Sequence, residues 1–157
     1  MISANTVTKP PDDAVVLRII RPGAKHQGTT GDDKTPANFQ RRRLRKLGDK
    51  MEPGLSVSIS GVISDKEVLQ SFAQDGNIAG LKLAECTVAE LRDAGFVVAL
   101  KPTIKNEAHA QLRCVACDFK DIDCFPSDCS DCKLDRLEFQ RELADLFRPH
   151  TINNVTA

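Results

Sequence analysis

The feature that most limits what this chain can become is a pair of Cys-x-x-Cys units towards its C-terminal end. They are Cys114-Val-Ala-Cys117 and Cys129-Ser-Asp-Cys132, separated by eleven residues. Two residues between thiols let one turn of backbone present both sulfurs to one ion. Two such turns close a tetrahedral shell of four thiolates, with metal–sulfur distances of about 2.3 Å. Zinc suits a structural clamp of this kind, because it has no redox chemistry and no geometry imposed by d electrons. The intervening segment, DFKDIDCFPSD, carries few apolar side chains. Metal binding would therefore feed directly into folding. The sequence predicts one structural Zn²⁺ held by Cys114, Cys117, Cys129 and Cys132.

Three alternatives stay open on the residues alone. Cys124, between the two pairs, is a substitute ligand or a free thiol. His109, five residues before Cys114, is either a substitute ligand or a hydrogen-bonded residue of a half-buried strand. Four thiolates also accommodate an iron–sulfur cluster, although the spacing matches none of the ferredoxin-type runs. Disulfides would require an oxidising compartment, and residues 1–11 lack the basic segment and apolar stretch of a secretory signal. A reducing, cytoplasmic setting is expected. The remaining cysteine, Cys86, reads as a buried and inert thiol where a strand meets a helix.

A closed thiolate shell leaves no position for water and weakens the ion as a Lewis acid. His109-Ala110-Gln111, with Pro126 and Cys129/Cys132, partly resembles the H-x-E…P-C-x-x-C pattern of zinc nucleobase deaminases. Position 111 is Gln, which cannot shuttle a proton, and Pro126 is not adjacent to Cys129. The likeness fails where the chemistry needs it. No phosphate-binding G-x-x-x-x-G-K-[ST], H-E-x-x-H or G-x-S-x-G motif occurs. Arg18, Arg21 and His26 could form an anion site, but they read more simply as a strand end and a polar loop.

Organisation follows from periodicity. Residues 14–20 (AVVLRII) and 96–100 (FVVAL) are short, β-branched strand candidates, and LSVSIS at 55–60 alternates strictly. Further strands are expected over 78–83 and 108–115. Ser64-Asp-Lys-Glu67 and Thr87-Val-Ala-Glu90 have the capping-box form that starts helices, and Gly76 and Gly95 sit at their ends. A basic helix is expected over 39–47 after an Asn38 cap. The longest helix is expected over 133–148, stopped by Pro149. The fold class is therefore α+β: a small mixed sheet with short helices and a C-terminal zinc-knuckle subdomain followed by an amphipathic helix. The divisions are a tail at 1–13, a core at 14–113, knuckle and helix at 114–148, and a tail at 149–157.

Charge sums to zero, with 22 cations and 22 anions, so no global field draws the chain to nucleic acid or lipid. Its distribution is uneven. Residues 37–51 hold Arg41, Arg42, Arg43, Arg45, Lys46 and Lys50 against Asp49, six minus one or +5. Residues 118–145 hold nine acidic residues against Lys120, Lys133, Arg136 and Arg141, four minus nine or −5. Arg41, Arg42, Arg43, Arg45 and Lys46 are candidate phosphate contacts. The absence of Trp and Tyr argues against base-stacking platforms.

The acidic knuckle does not suit DNA. Together with Asp135, Glu138, Glu142 and Asp145, which share one stripe of the last helix, it suits a basic protein partner. No apolar run reaches the roughly 20 residues of a membrane span. The expected role is a non-enzymatic adaptor or regulator acting by protein–protein contact. The alternatives are a nucleic-acid-associated accessory protein and an enzyme centred near Arg18, Arg21 and His109.

Overall fold

Alternation along five short strands builds the sheet. In the computed structural model, which describes residues 10–20, 43–44, 50–51, 54–73, 78, 80–114 and 137–152, these strands are β1 (Val15–Ile20), β4 (Leu55–Ile59), β5 (Lys82–Thr87), β6 (Phe96–Leu100) and β7 (His109–Cys114). A sixth, β8 (Arg148–His150), lies at one edge, and the order is β6-β7-β4-β1-β5-β8. Two further short strands, β2 (Arg43–Leu44) and β3 (Lys50–Met51), pair with each other.

Every pairing in the six-stranded sheet is antiparallel. This corrects the expected mixed sheet, and the reason is topological. β4 and β5 run parallel to each other, joined through helix α1 (Asp65–Phe72), but β1 lies between them. The parallel members of this split β-α-β unit never touch as ladder neighbours.

Period-two burial divides the sheet into two faces. On one face Val16, Leu55, Val57, Cys86, Phe96, Val98, Leu112 and Cys114 form the larger core. Leu91 of α2 (Val88–Asp93) and Leu143 of α3 (Leu137–Leu146) join it, with Phe147 just beyond α3. Phe139 of α3 meets Phe96 edge-to-face, with centroids 6.3 Å apart. On the other face Leu17 and Leu83 pack against Val68 and Leu69 of α1. Burial of each large apolar side chain is worth about 1.5–3 kcal/mol.

Both capping boxes form. The Ser64 hydroxyl accepts from the Glu67 N–H at 3.1 Å, and Glu67 accepts from the Ser64 N–H at 3.2 Å. At α2 the Glu90 N–H donates to Thr87 at 3.2 Å and Thr87 N–H to Glu90 at 2.9 Å. Gly95 ends that helix at φ +95°, the left-handed region where a Cβ is disfavoured. Replacing Ser64 or Thr87 by alanine is expected to cost about 1 kcal/mol each. The check is the denaturation midpoint at unchanged m-value.

Gly54 marks a close approach of chain to sheet. A Cβ there would lie 2.9 Å from the Leu112 carbonyl oxygen and 3.1 Å from carbons of Arg113 and Gln111. Gly54→Ala is expected to destabilise by about 1–3 kcal/mol, because backbone on β7 must move. An unchanged melting temperature would contradict this.

Two expectations about elements need correction. Arg43 and Leu44 are extended in β2, within the stretch expected to be helical. A helix over 39–47 would stack cations at i,i+3 and i,i+4, including Arg41 with Arg45 and Arg42 with Lys46, and such like-charge pairs oppose helix formation. The last helix ends at Leu146, not Arg148. Arg148 precedes a proline, which biases it to extended backbone. The chain then continues as β8, with Pro149 opposite Ala84 at an edge where a missing N–H is tolerated.

Candidate functional site

Cys114 is the last residue of β7, opposite Phe96 on β6, and its side chain is 1% exposed within the larger core. Cys117, Cys124, Cys129 and Cys132 lie outside the described residues, as do Arg41, Arg42, Arg45 and Lys46. Among the described residues no group of three or more His, Cys, Asp or Glu side chains is placed to hold a metal. The donor set read from the sequence therefore has one member in view. Its place is at the end of a strand paired on both sides.

His109 is separated from that place by the pleat. Alternation along β7 puts Cys114 with Leu112 and Ala110 on the core face, and His109 with Gln111 on the opposite one. The His109 Nδ1 contacts the Lys101 carbonyl at 2.7 Å, so Nδ1 carries the proton. Nε2 lies 3.2 Å from the Ser56 hydroxyl, which can donate to it or accept from it. Both nitrogens are engaged in holding the β6–β7 hairpin to β4. His109 is thus a hydrogen-bonded sheet residue, the second of its two expected readings.

Beside it, the Asn106 amide donates to Ser58 Oγ at 2.9 Å, and its carbonyl oxygen accepts from the Ala108 N–H at 2.9 Å. These bonds fix a hairpin tip on which Ile104 is fully exposed.

Arg18 is engaged with backbone. β1 and β4 share ladder pairs at Val16↔Ile59 and Leu17↔Ser58, and the Arg18 guanidinium donates to the Ser56 carbonyl at 2.6 Å. The register places Arg18 on the face opposite His109. The two do not converge into a pocket. Arg21 and His26 lie outside the described residues. Cys86 is fully buried where β5 meets α2, and burial, reinforced by Glu90, pushes its thiol far above the usual range. It is inert as expected.

One polar cluster among the described residues was not foreseen. His150 on β8 sits between two carboxylates, Nδ1 at 2.8 Å from Glu85 Oε1 on β5 and Nε2 at 2.9 Å from Asp65 Oδ2 on α1. Arg148, two residues earlier on the same face, donates to Glu90 at 3.0 Å and lies 3.7 Å from Glu85. Burial opposes charge on His150, but the hydrogen bonds it donates to Glu85 and Asp65 outweigh it and hold the imidazole above its ordinary range. At Glu90 the Thr87 N–H and then Arg148 hold the carboxyl below its ordinary range.

His150 borders an open cleft of about 640 Å³ with Ser60, Ser64, Asp65, Glu67 and Thr151 along its polar side. Neither Arg18 nor His109 lines it. The sequence signal that could have found the cluster is slight: a histidine after a proline, with partners 65 and 85 residues away.

On α3, Glu138, Arg141, Glu142 and Asp145 are exposed, while Leu143, Ala144 and Gln140 are buried. Three members of the acidic stripe thus face outward, and the apolar side is turned to the sheet. No described helix is long and apolar enough to cross a membrane. No family model, curated protein or solved structure matches this chain.

Proposed function

We propose that this protein is a zinc-stabilised, non-enzymatic adaptor that works through protein–protein contact. The observation that carries the reading is the spacing of Cys114, Cys117, Cys129 and Cys132, four soft donors in two turns of the kind zinc closes into a tetrahedral site. Cys114 lies at the end of β7, so a metal bound there would tie the segment after β7 to the main sheet. The contact surface is the acidic face of α3, where Glu138, Glu142 and Asp145 stand exposed beside Arg141. An acidic stripe on a helix seated in the core by Leu143 suits a basic partner surface, and it would act mainly on encounter and orientation.

The experiment is a capture from cell extract with the full chain, repeated with Glu138, Glu142 and Asp145 all changed to lysine. A partner held by the parent chain and lost in the charge-reversed one, with unchanged melting temperature, supports the reading. Identical capture by both, or a monomer that holds nothing, removes it.

The second reading is nucleic-acid association through the +5 segment at 37–51. It predicts co-purifying material absorbing at 260 nm and binding that weakens steeply with salt. Absent or salt-insensitive binding disposes of it.

A further inference from the structure

We infer that this chain pairs with a second copy of itself along α1, with the Ile104 tip of each copy seated in the other's cleft beside Val62. Among the described residues, Val62 and Ile104 are the two large apolar side chains that stand exposed. Single exposed apolar residues are ordinary, so their placement matters more than their presence. Both border the outer side of α1. Val62 lines the cleft of about 640 Å³ that also holds Glu67. Glu67, Gln70, Ser71, Ala73 and Lys105, next to Ile104, line the adjoining cleft of about 330 Å³. One strip of surface therefore carries both.

Ile104 is held out rather than left loose. Thr103 and Asn106 exchange backbone hydrogen bonds at 3.0 and 3.2 Å across the tip. The buried Asn106 amide also donates to Ser58 Oγ at 2.9 Å, which ties the tip to the sheet. A rigid knob loses little conformational freedom on docking. Nothing local explains an isoleucine there. It packs in neither core, and tight turns favour Gly, Pro, Asn, Asp and Ser over a β-branched apolar residue. At the other end of the strip, Val62, Ile63 and Ile152 give the larger cleft its apolar lining.

Charge complementarity selects a second copy as the occupant. Lys101 and Lys105 flank Ile104 and are exposed. Glu67, also exposed, uses Oε1 for both of its bonds to Ser64, which leaves Oε2 open towards the cleft. Lys105 and Glu67 line one small cleft, yet among the described residues no ion pair joins them. A two-fold axis beside α1 satisfies both groups at once: knob meets cleft twice and Lys105 meets Glu67 twice, as an isologous interface requires. One isoleucine buries too little apolar area to anchor a chain in a bilayer, whereas it suffices as the centre of a small protein interface. The pairing uses neither the metal nor the acidic side of α3, so it stands apart from the adaptor reading.

Sedimentation velocity on the full chain over about a hundredfold range of concentration tests this, since association follows mass action. The expected result is a mass that rises from one chain towards two and no further, because a two-fold interface closes. Ile104→Asp should weaken the association by about tenfold or more, as loss of a central anchor does. Lys105→Glu should weaken it as well. Glu67→Gln keeps the capping box but removes the charge, so it should weaken the association and reduce its salt dependence. Ile104 and Lys105 are exposed, so both of their variants should melt with the unaltered chain. Carbodiimide cross-linking of mixed light- and heavy-isotope chains should give Lys105–Glu67 links that join a light peptide to a heavy one. A chain that is monomeric at every concentration overturns the proposal; if that monomer binds phosphatidylserine vesicles through Ile104, the tip belongs to a lipid surface instead. A dimer unchanged by Ile104→Asp, or Lys105–Glu67 links found only within one isotope, overturns it equally.

Discussion

On the zinc proposal, treatment with a strong chelator is expected to lower the unfolding free energy by on the order of 5 kcal/mol or more, since small zinc sites bind with about 10–16 kcal/mol of apparent free energy. The segment between the cysteine pairs has few apolar side chains of its own. Cys114, in contrast, is seated in the larger core opposite Phe96. Loss of the ion should therefore disturb the end of β7 as well as the segment that follows. Cys129→Ser should reproduce the effect. Cys86→Ala, at a buried position away from the pairs, should retain the metal. Readouts are the denaturation midpoint and the metal content of each protein. A chelated chain that melts with the untreated one would count against a structural ion.

Phe147→Ala is expected to cost about 3–5 kcal/mol, the range for truncating a fully buried aromatic. Phe147 is 0% exposed, and its N–H donates to the Leu143 carbonyl at 3.0 Å, closing the last turn of α3. The next residues form β8, so one side chain holds the junction between the helix on one face and the edge strand. Its loss should loosen Arg148 and His150 together, weakening the Glu85 and Glu90 contacts as well as the core. Amide exchange should rise first in α3 and at Leu83 and Glu85, which pair with β8. A midpoint change worth less than about 1 kcal/mol would mean that the site repacks around the void.

What could be read from the sequence was local. The capping boxes at Ser64 and Thr87 are four-residue patterns whose hydrogen bonds close within one turn, and both are present. Strict alternation in LSVSI placed Leu55 and Val57 in the core, and the burial of Cys86 was expected where a strand meets a helix. Even so, β5 lies at Lys82–Thr87, later than the expected 78–83. Its apolar residues are followed by Glu85 and Thr87, whose partners come from β8 and α2.

What could not be read was long-range. β8 is three residues with a proline in the middle, and no pattern in it announces a strand. Only its pairing with β5 and the two carboxylates around His150 make it one. The antiparallel character of the sheet was hidden for a related reason. Alternating strands and helices suggest parallel neighbours, and only the insertion of β1 between β4 and β5 forbids them. Of the cysteine site, the spacing was legible and the position of Cys114 at the end of β7 is now added.

The central claim is that four cysteine sulfurs enclose one zinc ion in this chain. X-ray absorption at the zinc edge on the purified full-length protein tests it directly. The account predicts one zinc per chain and a single shell of four sulfurs at about 2.3 Å. A shell containing nitrogen or oxygen ligands, or a metal-free chain with these cysteines joined as disulfides, would contradict it.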